Sequence, residues 1–322
     1  MGIQKLPVLE RKNIFVDHPL LVEGVSRSGK FLLGNLLAGI EGIEGIQWVG
    51  MVEQLVHLYH LGHIEREALK AIILIQFDNL AYQRMIGRNL NFRYDDKTSI
   101  YNSPNPKAFL ERCLGADGEV VVDFVKANNL CFSFLIHEAF QDIDLFLEAS
   151  SHLKVIHVER HPVDLVFSWF KRGWGRRLGT DTRDCTVILE GKKGPLPWFA
   201  HDAEEKYAEV SEMDRVINAL FLINHMAETR RVRLSNEQKK GIHFISYEAL
   251  LVEPDRELEK IATFLGRKVS PQWATIKLKE NLPTSHPREI RKEKEKEIIR
   301  LASPEALSLL RKMEKKYSER WG

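Results

Sequence analysis

The sequence predicts an α/β fold: a single domain with a central, mostly parallel sheet flanked by helices. Three observations point there. Short apolar runs that suit buried strands alternate with longer segments of helical spacing. The first run, Leu20–Val25, feeds a glycine-marked turn and then the apolar helix Lys30–Ala38, a strand–loop–helix opening. No linker or shift of composition divides the 322 residues, which suffice for one large core or two smaller ones.

The other elements follow from the same signals. Gly39–Ile46 repeats a Gly-Ile-Glu unit too briefly for a repeat fold and reads as a loop with a short strand. Glu53–His60 and Glu65–Arg88 carry helical apolar spacing, whereas Asn89–Pro106, polar with two prolines, reads as a loop. The apolar run Val120–Phe124 contains Asp123 and reads two ways, as an acidic strand or as the opening of a helix. Phe132–Ile136 is a strand that ends at His137, and Gln141–Ala149 a helix. Lys154–Glu159 is a strand, and Pro162 starts the helix Val163–Lys171. Arg172–Pro197 is long and irregular, as mobile functional loops are. Helix Ala203–Arg230, strand Ile242–Ser246 and helix Pro254–Leu265, closed by Gly266, complete the pattern. Within residues 1–322, residues 1–17 are then an N-terminal extension, 172–199 a lid or ligand-side loop, and 288–322 a charged helical end. Its last helix, capped by Ser303, is packing or homodimer surface.

Composition narrows the function. Hydrophobic content of 44% with 29% charged residues is that of a soluble globular protein. A net charge of +2 argues for neither nucleic acid nor membrane attraction, so any anion site must be local. Cys113, Cys131 and Cys185 have no metal spacing and suit a reducing compartment. No signal peptide and no bilayer-spanning run is evident, so a cytoplasmic protein is expected. His57, His60 and His63 have spacings that could place them on one helix face, but no fourth ligand is evident, and they are read as packing or surface residues.

Gly24–Lys30 spells G-x-x-x-x-G-K, the phosphate-cradling loop of P-loop nucleotide-binding folds, and the next residue decides its use. A loop that serves ATP and magnesium needs Ser or Thr there to ligate the metal, and this chain has Phe31. What remains is independent of metal: backbone amides at a helix N-terminus, with Ser28, Arg27 and Lys30, facing a phosphate or sulfate. A second stretch places Arg160 at a strand end, where ligands collect in open α/β sheets, and Ser168 two helical turns further on. The planar fork of Arg suits a phosphate.

Together these residues resemble the sulfotransferases that use 3′-phosphoadenosine 5′-phosphosulfate. Arg27-Ser28-Gly29-Lys30-Phe31 is similar to their first signature, an Arg or Lys followed by Ser-Gly-Thr-Thr on a strand-loop-helix. Arg160 and Ser168 have the spacing of their second. His243–Leu250, with Tyr247-Glu248, and the later Phe264-Leu265-Gly266 resemble a third, so the likeness spans roughly residues 18–270 in the family's order. It implies that the loop, Arg27 to Leu32, holds the 5′-phosphosulfate, and that Arg160 with Ser168 holds the 3′-phosphate. No metal is then required. The departure is Lys30-Phe31 in place of two hydroxyl residues, where Lys30 could supply the charge or leave a degenerate loop.

Transfer to an alcohol needs a base. The resemblance favours His137, which precedes Arg160 at the family's distance, over Glu53, the choice in other branches. It also gives Arg288 or Arg291 a role over the 3′-phosphate, although the family's Arg-Lys-Gly signature is broken by Glu293. The expected reaction moves a sulfuryl group onto a small-molecule or carbohydrate hydroxyl, with carbohydrate preferred. The competing readings are a P-loop kinase, which leaves Arg160 and Ser168 unexplained, and a relative that binds the nucleotide without catalysis.

Overall fold

The computed structural model describes residues 7–9, 11–96, 98–103, 105–285 and 288–322, with Arg288 in backbone only. Five strands form the main sheet: β1 (Pro19–Glu23), β2 (Ile43–Trp48), β3 (Cys131–Leu135), β4 (Lys154–Glu159) and, after a two-stranded hairpin of β5 (Ile188–Gly191) and β6 (Gly194–Pro197), β7 (Ile242–Ser246). Their order is β2-β3-β1-β4-β7, and all four pairings are parallel. The expected architecture is the observed one.

The central strands β1 and β3 are short and buried at every residue, which is why they read as continuous runs rather than alternations, whereas the edge strand β2 is only partly buried. Leu20 and Val22 face one layer, with Leu33, Leu36 and Leu37 of helix α1 (Lys30–Leu37). Leu21 faces the other, with Phe134 and with Ile73 and Phe77 of the long helix Arg66–Met85. A third core joins the helices Pro162–Lys171, Glu212–Arg233 and Pro304–Trp321 around Val166, Ile217 and Leu310.

Three local expectations change. The Val120–Phe124 run lies in the helix Glu119–Ala127, which buries Val121 and Val125 and exposes Val120, Asp123 and Phe124. The spacing of buried residues is four, a helical period, and the acidic-strand reading falls with it. Asn89–Pro106 holds a 3₁₀ turn at Ile100–Asn102, and Pro106 opens the helix Pro106–Arg112, whose first turn Asn105 caps from Ala108 N at 3.3 Å. Arg172–Pro197 contains a short helix, Trp174–Arg177, and the hairpin. Pro195 and Pro197 argue against a strand, yet a two-stranded ribbon leaves each strand an edge without ladder bonds. None of the described helices is long and apolar enough to cross a membrane.

The topology decides where function can sit. β1 lies between β3 and β4, so the chain segments leaving these strands emerge side by side at the carboxyl edge of the sheet. They are the glycine loop after β1, His137 after β3 and Arg160 after β4, with Tyr247 following β7.

Candidate active site

Two glycines in the loop are required by contact as well as by conformation. Gly24 has φ 150°, and a Cβ there would lie 2.5 Å from the carbonyl oxygen of Val158 on the neighbouring strand. Gly29, with φ 104°, is the N-cap of α1, and a Cβ there would lie 2.1 Å from the Tyr247 ring. No side chain caps α1, so its first amides remain for a ligand.

Four successive loop carbonyls each accept from a side chain. Lys30 Nζ donates to the oxygens of Gly24 and Val25, the latter at 2.8 Å. Trp169 Nε1 donates to Ser26 O at 2.8 Å, and an Arg160 terminal nitrogen to Arg27 O at 2.8 Å. The Ser26 amide donates to the Glu138 carboxylate. Arg27 (φ 74°) and Glu138 (φ 47°) both hold left-handed backbone without being glycine, a strain that such anchoring can sustain.

Lys30 is only 2% exposed, and its ammonium faces the loop carbonyls. Burial pulls it down to about 8, against the opposing pull of Glu138, Glu23 and Glu53. Replacing it with Met leaves two carbonyls without this donor and three carboxylates without its charge. Lys30→Met is expected to destabilise the fold by roughly 1–3 kcal/mol and to weaken nucleotide binding together with it, read by thermal unfolding and calorimetry.

His137 and Glu53, alternatives in the sequence, are partners in the fold. Glu53 Oε2 lies 2.8 Å from His137 Nδ1 and accepts from the His137 amide at 2.8 Å and from Trp48 Nε1 at 3.1 Å. Burial would raise the Glu53 carboxyl, but the hydrogen bond and charge of His137 outweigh it and hold it below its ordinary value. An ionised Glu53 assigns the proton to Nδ1 and leaves Nε2 of His137 as the basic nitrogen.

His57 lies on the same helix as Glu53, Gly50–His60, buried and stacked on Trp198 with ring centroids 4.1 Å apart. Gln54 of that helix donates to Cys185 O at 2.6 Å, so the 172–199 segment docks on the helix that carries Glu53. Burial lowers His57 to about 4, against an ordinary 6.5. Between those values the unfolded chain binds the extra proton, so stability falls as pH drops from about 6.5 to 4. The loss should total roughly 3 kcal/mol at that site, and His57→Phe should flatten that part of the curve of Tm against pH.

The two arginine signatures meet as well. Arg27 Nε donates to Ser168 Oγ at 3.2 Å, and the Arg160 guanidinium stands over the Tyr247 ring, 4.6 Å from its centroid. A cavity of about 370 Å³ is lined by Arg27, Gly29, Lys30, Phe31, Leu32, His137, Arg160, Arg172, Trp174 and Tyr247, with Ser26. Among the described residues that line it, three are arginines and none is a carboxylate. Burial and then the charges of Arg172 and Arg160 disfavour a protonated Arg27, as expected of a wall that lacks its counter-ion.

Other sequence candidates lie elsewhere. Ser28, 1% exposed, is absent from this lining and caps nothing. Arg291 is bound by Asp164 at 2.9 Å and Glu248 at 3.3 Å, outside the cavity lining, and the Arg288 side chain lies outside the described residues. Trp169 was not legible as a site residue, since nothing local distinguishes it from a core tryptophan, whereas Trp174 falls in the 172–199 segment expected beside the site. One group of three metal-capable side chains, Asp17, His18 and His152, occurs among the described residues, exposed at the amino edge of the sheet.

A sulfotransferase domain model matches residues 52–319. The chain belongs to the sulfotransferase family. The glycine loop precedes the matched segment, whereas His137, Arg160 and Ser168 fall inside it. Among solved structures, this sulfotransferase is similar to the sulfotransferase domain from the curacin biosynthetic pathway (12% identity, TM-score 0.48, covering 94% of this chain and 98% of that one). It is also similar to the domain from the Synechococcus PCC 7002 olefin synthase (16%, 0.44, 98% and 98%). The mouse sulfotransferase SULT7A1, complexed with PAP, is a further match (12%, 0.39, 92% and 83%). No curated protein matches the sulfotransferase by sequence.

Proposed function

We propose that this sulfotransferase moves a sulfuryl group from 3′-phosphoadenosine 5′-phosphosulfate to a hydroxyl acceptor, without a metal and with His137 as base. The observation that carries the reading is the cavity wall of Arg27, Arg160 and Arg172 with no carboxylate, beside His137 and the uncapped start of α1. The donor fits those residues: a nucleotide with a 3′-phosphate and a 5′-phosphosulfate presents separated anions to separated cations. It supplies a sulfuryl group already attached to a good leaving group.

Arg160, with Ser168 close by through Arg27, would hold the 3′-phosphate. Arg27 and the amides of Gly29, Lys30, Phe31 and Leu32 would face the phosphosulfate, and Phe31 offers no metal-binding hydroxyl. His137 Nε2 takes the acceptor's proton as the acceptor oxygen bonds to sulfur and the bond from sulfur to the phosphate oxygen breaks. Glu53 keeps the other imidazole nitrogen protonated and offsets the imidazolium charge. The 172–199 segment would wall the acceptor side, where Arg172 and Trp174 suit a sugar or another polar hydroxyl compound.

Calorimetric titration with adenosine 3′,5′-bisphosphate, with and without magnesium, tests the donor site. Magnesium-independent micromolar binding is expected, followed by turnover of labelled donor on a carbohydrate panel. ATP binding that appears only with magnesium would favour a kinase. Bisphosphate binding without turnover on any acceptor would mark a non-catalytic relative.

A further inference from the structure

Behind the glycine loop lies a second cavity of about 370 Å³, between the end of β4 and the helices Glu212–Arg233 and Pro304–Trp321. Arg160 lines both cavities and Ser28 only this one, so the loop is the partition between them. The wall is mostly apolar, built from Val25, Leu165, Phe221 and Met313. Ser28 Oγ and Arg160 Nε are buried and have no hydrogen-bond partner among the described residues.

The charges around the cavity favour an anion. Its carboxylates are engaged: Glu159 by Arg231, Arg320 and Trp321, Glu228 by Arg320, and Glu319 by Lys315. Lys312 and Lys316, both exposed at its edge, form no ion pair among the described residues. Each is a cation that a ligand could use. An apolar chamber with Arg160 in its wall and unpaired ammonium groups at its edge suits a molecule with a hydrophobic body and an oxyanion.

We propose that this rear cavity is a second ligand site, for an amphipathic organic anion such as an alkyl or aryl carboxylate, sulfonate or sulfate. It is separate from the donor cavity. Because Arg160 also holds the Arg27 carbonyl, an anion bound there would shift nucleotide affinity, and the nucleotide would shift the anion's affinity by the same factor.

The probe is 8-anilinonaphthalene-1-sulfonate, an apolar aryl sulfonate, titrated into the full chain by fluorescence. One saturable site is expected, and saturating adenosine 3′,5′-bisphosphate should change its affinity without competing stoichiometrically. Asn224→Phe, which fills the chamber, should weaken the probe at least about tenfold while the folded variant still binds the bisphosphate. Lys316→Glu, a surface change that spares folding, should weaken it by about threefold or more. Probe binding indifferent to both variants, absence of saturable binding, or stoichiometric displacement by the bisphosphate would each overturn the site. Because bisphosphate binding is measured separately, none of these results bears on the donor site itself.

Discussion

His137→Ala is expected to lower kcat by roughly two to four orders of magnitude, the usual contribution of a positioned general base. The nucleotide's dissociation constant should change little, because the proposed partner of the imidazole is the acceptor rather than the phosphates. Glu53→Gln should cost less, roughly ten- to hundredfold: an amide oxygen can still accept from Nδ1 but does not offset the imidazolium charge. The double variant should be scarcely worse than His137→Ala alone, since Glu53 acts through His137. Steady-state kinetics with labelled donor decide this. Full additivity of the two losses would assign Glu53 an independent role, and the two residues' geometry would then need another explanation. Acid should act on the same pair. Glu53 is held below its ordinary value, so the arrangement survives down to pH near the usual carboxylate range and fails beneath it.

Arg160→Ala is expected to weaken adenosine 3′,5′-bisphosphate by about 2–3 kcal/mol, roughly thirty- to 150-fold. Two effects add. A guanidinium is lost from the cation wall, and the Arg27 carbonyl loses its donor at 2.8 Å. Arg160→Lys should recover only part of this, since a point charge cannot serve the carbonyl and a phosphate through one planar fork. Calorimetry at two salt concentrations separates the effects: the charge component shrinks with salt, and the loop component persists. Wild-type affinity in Arg160→Ala would remove the 3′-phosphate assignment.

Much of the fold was legible because its signals are local. Glycines at a tight strand-to-helix turn, Pro162 at a helix start, Ser303 at a cap and short apolar runs each act over a few residues. The site was legible only as separate pieces. The glycine loop and Arg160 could be named from the residues themselves and His137 from the family resemblance, while the bond between Glu53 and His137 spans 84 residues and that between Trp169 and Ser26 spans 143. The helix at Glu119–Ala127 stayed one of two readings because five consecutive apolar and acidic residues suit either period, until packing shows which side is covered.

The sequence by itself determined most of the element types, the loop's suitability for an anion without a hydroxyl for metal, and the arginines that could meet one. Tertiary structure alone decided that β1 lies between β3 and β4, which sets the loop beside His137 and Arg160. It also decided that Lys30 turns inward to the loop carbonyls, and that Glu53 is hydrogen-bonded to His137. The physical reason is that a lysine or a glutamate has the same local preferences in either role, and only the groups that burial brings within hydrogen-bond reach select between them.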